Sequence, residues 1–207
     1  MSKMKVAVVT AATNTIPRFR IDMIDEFVHR GCDVLVLGND QESDWDVYFK
    51  EHDVRYRSYS VSRNGINPFD DIGTLRELEI IFEEETPDRV FTYQAKPNIY
   101  GSIAAHRAGI KAVYVMMGGL GSVFHAPDLK SKLLRSVVLR EYRVALKHAA
   151  GVFFQNEEDA KTFECLGIID RNKVHMVRGS GVSLDRFPER PLPPQPVISI
   201  CWKTCAR

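Results

Sequence analysis

A length of 207 residues, 44% hydrophobic and 27% charged, is that of an ordinary globular chain with room for one generous domain, or one domain and the beginning of another. Lys+Arg 28 against Asp+Glu 27 leave a formal net charge of +1, which excludes a global pull toward nucleic acid and makes any electrostatic function local. Cys32, Cys165, Cys201 and Cys205 are too sparse for a disulfide scaffold and form no zinc spacing, so neither metal nor oxidising compartment is expected and the cytoplasm is the simplest setting.

The N-terminus, MSKMKVAVVTAAT, carries a short apolar run too brief for a signal peptide, and it reads as a buried first strand over residues 5–10. The loop that follows, AATNTIPRFR, contains no glycine. A dinucleotide fold needs G-x-G-x-x-G here so that backbone can approach a pyrophosphate, and its absence argues against an NAD or FAD module. Arg18 and Arg20 stand near the start of the next helix. Either their guanidinium groups meet a phosphate or carboxylate, or they are solvated on a helix face.

Further β-branched runs at residues 33–37, 55–59, 89–93, 112–117, 151–155 and 173–177 are strands buried on both faces, the mark of a parallel sheet. Asn67 and Pro68 open a helix over FDDIGTLRELEIIFEEET. After the fourth strand, QAKPNIYGS sets Lys96 and Asn98 at a helix N-terminus whose free N–H groups favour an anion, and Gly109 closes that helix. The plainer alternative has Asn98 bonded to local backbone and Lys96 in solvent. After the fifth strand, Gly118, Gly119 and Gly121 permit positive φ angles and let a ligand lie against bare backbone.

A long helix follows, LKSKLLRSVVLREYRVALKH. Leu133, Leu134, Val137, Val138, Tyr142, Ala145 and Leu146 repeat at helical spacing and are expected to face the sheet. Lys132, Arg135, Arg140, Arg143 and Lys147 then form a basic surface opposed by a single acid, Glu141. Such a surface suits anionic lipid headgroups, or is an ordinary solvated face. Asn156 caps EEDAKTFECL, which Gly167 closes. His125 lies just past the glycine loop, within reach of a ligand there. The other histidines have no obvious partner, and no nucleophile, base and acid assemble into a catalytic set.

The alternation of strands and crossover helices predicts an α/β, doubly wound, Rossmann-like sheet over residues 1–180. From there the pattern breaks, and PERPLPPQP reads as an extended linker within residues 181–196.

Four segments in order, VFTYQAKPNIYGSIAAHRAGIK, VYVMMGGLGSVF, GVFFQNEEDAKTF and VRGSGVSLDRF, resemble the N-terminal half of the GT-B-type retaining glycosyltransferases of the group 1, or family 4, kind. These enzymes build capsular, O-antigen and lipid-linked oligosaccharides, and the resemblance is strongest to members that add a hexose or N-acetylhexosamine to an undecaprenyl-diphosphate-linked sugar. It implies two Rossmann-like domains facing across a cleft. The N-terminal one supplies the acceptor site and binds no cofactor, and the C-terminal one holds a nucleotide-sugar donor, a UDP-sugar. Arg20, Lys96, Asn98, Gly118, Gly119 and Gly121 would line the acceptor side, and Lys132, Arg135, Arg140, Arg143 and Lys147 would rest on the membrane. The implied partners are a lipid-linked glycan and an anionic surface, not nucleic acid. The implied place is the inner face of the cytoplasmic membrane, held peripherally.

In the family an apolar strand with Arg and Lys-Gly, then a paired-glutamate motif, follows the linker. Here residues 197–207, VISICWKTCAR, read as a remnant of that donor domain, so the chain is expected to bind acceptor and to turn over nothing alone. The alternative is a non-catalytic acceptor-binding subunit that pairs with a separate donor-binding polypeptide. A nucleotide-dependent epimerase or dehydrogenase is disfavoured by the glycine-free first loop.

Overall fold

A computed structural model describes residues 3–62, 67–120, 129–181 and 183–191. Seven strands form one parallel sheet: β1 (Lys5–Val9), β2 (Asp33–Gly38), β3 (Arg55–Ser58), β4 (Arg89–Tyr93), β5 (Ala112–Met117), β6 (Gly151–Phe154) and β7 (Val174–Met176). Each coincides with an expected β-branched run. The order is β3-β2-β1-β4-β5-β6-β7, and Ala7 of β1 pairs with Leu35 on one side and Val90 on the other.

The helices are α1 (Ile16–Phe19), α2 (Ile21–His29), α3 (Glu42–Glu51), α4 (Pro68–Glu85), α5 (Ser102–Arg107), α6 (Leu129–Lys147) and α7 (Glu157–Cys165). Their ends follow the expected capping chemistry. Asn67 Oδ1 accepts from the Phe69 N–H at 3.1 Å and Asn156 Oδ1 from the Asp159 N–H at 2.8 Å.

Two apolar layers sandwich the sheet. Leu78, Phe82, Ala104, Tyr142, Leu146 and Phe163 pack with Val9, Val90, Val113 and Val152, so α4 to α7 share one face. Ile16, Ile24 and Phe49 pack with Val8, Val34 and Val36, so α1 to α3 share the other. On that second face, over β4 to β6, Phe27, Phe91, Tyr114, Met116, Phe153 and Val177 line an apolar groove of about 600 Å³.

The strand order reverses between β1 and β4. Connections leave β1 in one direction across the sheet and β4 in the other, so a crevice opens at the carboxyl ends of these two strands.

Two expected core residues of α6 are corrected. Leu133 is 69% exposed and Val137 45%, whereas Tyr142, Ala145 and Leu146 are buried. The helix makes its buried contacts with its C-terminal half, and helical spacing alone does not reveal where the neighbouring layer stops. Beyond β7, packing continues past residue 180. Arg186 reaches back to the Asp22 carboxylate at 2.8 and 2.9 Å and to the Pro17 carbonyl at 2.8 Å. The expected remnant strand at 197–200 and the tail after it lie outside the described residues.

Candidate functional site at the sheet reversal

The crevice is built from the ends of β1 and β4. Thr10 follows β1, and a tight turn over Thr13–Thr15 leads into α1. Gly38, at the end of β2, lets that turn approach: a Cβ there would lie 2.2 Å from Thr13 Oγ1. Just past β4, Gln94 adopts φ 75°, a left-handed conformation uncommon outside glycine. It aims its side chain across the strand pair, where Oε1 accepts from the Ala11 N–H at 2.8 Å and the Thr10 hydroxyl at 3.1 Å. Tyr93 OH and Thr15 Oγ1 form a second tie at 3.0 Å.

Arg20 lies against this corner. Its guanidinium stands 5.0 Å from the Tyr93 ring centroid, and the residue is 8% exposed. Nη1 donates to the Phe19 carbonyl at 2.9 Å and to Ser180 Oγ at 2.8 Å, while Nε is buried with no partner. Burial pulls its pKa below the ordinary arginine value, with Tyr93 opposing.

On the other side of the crevice the KPNIYGS segment opens as a π-helical turn, Pro97–Gly101, before α5. Such wide turns are frequent at functional sites. Gly101 allows it to pack closely, since a Cβ there would come 3.2 Å from Thr92 Cγ2. Asn98 is 1% exposed, with both ends of its amide engaged. Oδ1 accepts from Thr92 Oγ1 at 2.9 Å, and Nδ2 donates to the Met116 carbonyl at 2.9 Å, tying β4 to β5. Lys96 donates to Asp71 of α4 at 2.5 Å with a side chain 12% exposed. Tyr100 OH donates to Glu141 of α6 at 3.1 Å. Burial raises the Glu141 carboxyl above its ordinary value, opposed by the Tyr100 hydrogen bond and reinforced by the Asp71 charge. Tyr100 is likewise raised, by burial and then by Glu141 and Asp71.

Arg20 and Lys96 therefore flank the crevice from opposite faces, each already holding a protein partner. Asn98 belongs to the floor and is committed to protein groups, but to the Thr92 side chain and the distant Met116 carbonyl rather than to local backbone, and Lys96 is paired with Asp71 rather than solvated. Gly118 and Gly119 are exposed at the end of β5, Gly119 at φ 137°. Gly121 and His125 lie outside the described residues.

On α6, Lys132, Arg140, Arg143 and Lys147 are exposed and Arg135 is partly buried. Arg143 donates to the Leu166 carbonyl at 2.7 Å. Leu133, Val137 and Val144 are exposed beside the basic residues, and the lone acid points inward. Sequence reasoning passed over Asp71, Gln94 and Ser180 as partners in this network. The available signal was Glu141, a solitary carboxylate in a basic helix.

A doubly wound sheet with its crevice at the strand reversal, and a chain that returns to its first helices after the last strand, is the architecture of one Rossmann-like half of a GT-B fold. The chain belongs to the family described as glycosyl transferase 4-like domain, whose model matches residues 18–179. Among curated relatives, it is 26% identical over 184 residues to the N,N'-diacetylbacillosaminyl-diphospho-undecaprenol alpha-1,3-N-acetylgalactosaminyltransferase of Campylobacter jejuni, covering 89% of this chain and 48% of the relative. Among solved structures, Anabaena HepE in complex with UDP and glucose superposes with TM-score 0.64 at 14% identity, over 91% of this chain and 47% of that one. The UDP-N-acetylglucosamine 2-epimerase of Rickettsia bellii gives TM-score 0.62 at 13% identity, over 90% and 48%. The fold thus occurs in an epimerase as well, and the assignment to the glycosyl transferase 4-like family rests on the family match rather than on the fold. The chain spans about half the length of the curated relative it matches.

Proposed function

We propose that this chain is the acceptor-binding half of a glycosyltransferase that moves a hexose or N-acetylhexosamine from a nucleotide-sugar to a polyprenyl-diphosphate-linked glycan. The observation that carries the reading is Arg20, a desolvated cation with no carboxylate partner among the described residues, at the sheet reversal of a chain related to an enzyme of diphospho-undecaprenol-linked sugars. Arg20 meets the acceptor's anionic end, and the Gly118, Gly119 and Gly121 loop lies against the sugar. Lys96 contributes positive potential from beside Asp71, and Asn98 holds the floor. The exposed basic and apolar residues of α6 support a seat on an anionic membrane, at its inner face.

The donor side, with its UDP-sugar, belongs to a second half, on the same or a separate polypeptide. Transfer requires an oxocarbenium-like transition state and a departing diphosphate to be stabilised between two closed halves. In this division residues 1–180 bind acceptor and the linker joins the halves. Calorimetric titration of the purified chain in detergent tests the reading. A prenyl-diphosphate-linked disaccharide is expected to bind, and a UDP-sugar to bind far more weakly. The reverse order, or sugar transfer by residues 1–207 alone, contradicts it.

A further inference from the structure

Arg20 is the one buried arginine among the described residues, and its described partners, the Phe19 carbonyl and the Ser180 hydroxyl, are both neutral. The more exposed Arg55, Arg57 and Arg186 each hold a carboxylate. A guanidinium withdrawn from water without a counter-charge is costly, and here Nε has no partner at all. The corner is therefore electrostatically incomplete, and the missing element is an anion.

The segment that supplies Ser180 turns on two glycines. Ser180 sits between Gly179 at φ 82° and Gly181 at φ 76°, two backbone positions that favour glycine. Downstream, the segment is fixed by Arg186 on Asp22 and Pro17. Between α1 and this strap lies a cavity of about 570 Å³, walled by Pro17, Phe19, Ser180, Gly181 and Phe187 among others. Ser180 thus touches the cavity on one side and Arg20 on the other. It is the partition between them.

We infer that Arg20 is a phosphoryl-anion site closed by Ser180, and that a diphosphate bearing an apolar chain takes the place of the serine and opens the site into this cavity. A bond between two ions, guanidinium and phosphate, replaces one in which the guanidinium meets only a neutral hydroxyl. The walls, mostly apolar apart from Arg18, Ser183 and the Arg186–Asp22 pair, accept hydrocarbon. They offer little to a nucleoside, because the Asp22 carboxylate is already occupied by Arg186. The inference rests on the proposed function for its source of diphosphate.

The test is binding of farnesyl diphosphate, inorganic pyrophosphate and UDP to the whole chain, with amide hydrogen exchange read over residues 178–187. Farnesyl diphosphate is expected to bind about tenfold or more tighter than pyrophosphate or UDP and to accelerate exchange in the strap. Ser180→Ala is expected to tighten farnesyl diphosphate and pyrophosphate several-fold by removing the competitor, Arg20→Gln to abolish their binding, and Arg20→Lys to retain part. If Arg20→Gln does not fold, Ser180→Ala at an exposed position still decides. Unchanged affinity in Ser180→Ala, or UDP binding as tightly as farnesyl diphosphate, overturns the inference. Failure to bind the lipid-linked disaccharide while these responses persist counts against the proposed function alone.

Discussion

Lys96 and Asn98 stand two residues apart and are both turned inward, for different reasons. The amide of Asn98 replaces hydrogen bonds that β4 and β5 lose as they end, and leaving the Met116 carbonyl unpaired would cost about 1–3 kcal/mol. Lys96 is drawn to Asp71, which belongs with Tyr100 and Glu141 to a half-buried chain of polar groups linking α4, the π turn and α6. Within it Glu141 titrates abnormally. Burial holds its folded pKa above the ordinary value of 4.5. The folded chain therefore keeps a proton that the unfolded chain has already released, and stability falls as pH rises from 4.5 through the raised value. Glu141→Gln keeps the acceptor for Tyr100 and removes the titration. The variant's Tm should match the native chain's below pH 4.5 and exceed it by a margin that widens with pH across that window. A margin that is constant or shrinks would show that Glu141 is not desolvated in the folded chain.

At the scale of elements, α6 shows what a sequence does and does not carry. The strands are legible because continuous β-branched runs have one physical explanation, burial on both faces. The caps are legible because Asn67 and Asn156 act on backbone two and three residues away. Lys96 is not legible, because its partner is 25 residues upstream and local pattern cannot report it. Leu133 and Val137 mislead for a related reason: the apolar repeat continues along α6 after the layer beneath has ended. Exposed apolar groups beside Lys132 and Arg140, without an outward acid, form a surface suited to anionic lipid. A basic residue near such a surface contributes about 1 kcal/mol, so losing two weakens partition about thirtyfold. In flotation with phosphatidylserine-containing vesicles, Lys132→Glu with Arg140→Glu should leave the protein at the bottom of the gradient, and Leu133→Ser should weaken capture at high salt. Equal flotation of native and charge-reversed chains would remove α6 from the membrane.

For the molecule as a whole, the direction of chain travel explains both the crevice and the strap. Right-handed crossovers put the helices of one direction of travel on one face and those of the other direction on the opposite face. β1 to β3 march one way and β4 to β7 the other, so α2 and α5 diverge and leave the carboxyl ends of β1 and β4 open. The chain leaves β7 far from that opening, yet Ser180 and Arg186 bring it back to α1 and α2. Residues 183–187 thus travel with the sheet, although their composition reads as the start of a linker. If the body extends through Phe187, any hinge toward a second half begins at the prolines beyond. Limited trypsin digestion distinguishes the two boundaries, because cleavage requires a local segment to open. Arg190 precedes Pro191 and is not a tryptic site, so the readout is the Arg186–Phe187 bond, which the native chain should protect because the Arg186 guanidinium is held by a carboxylate and a carbonyl. Asp22→Ala removes the carboxylate and should speed cleavage after Arg186 about tenfold, without altering the global Tm by more than a few degrees. Equal rates of cutting after Arg186 in the native and Asp22→Ala chains would return the boundary to residue 180 and free the strap from the crevice it closes.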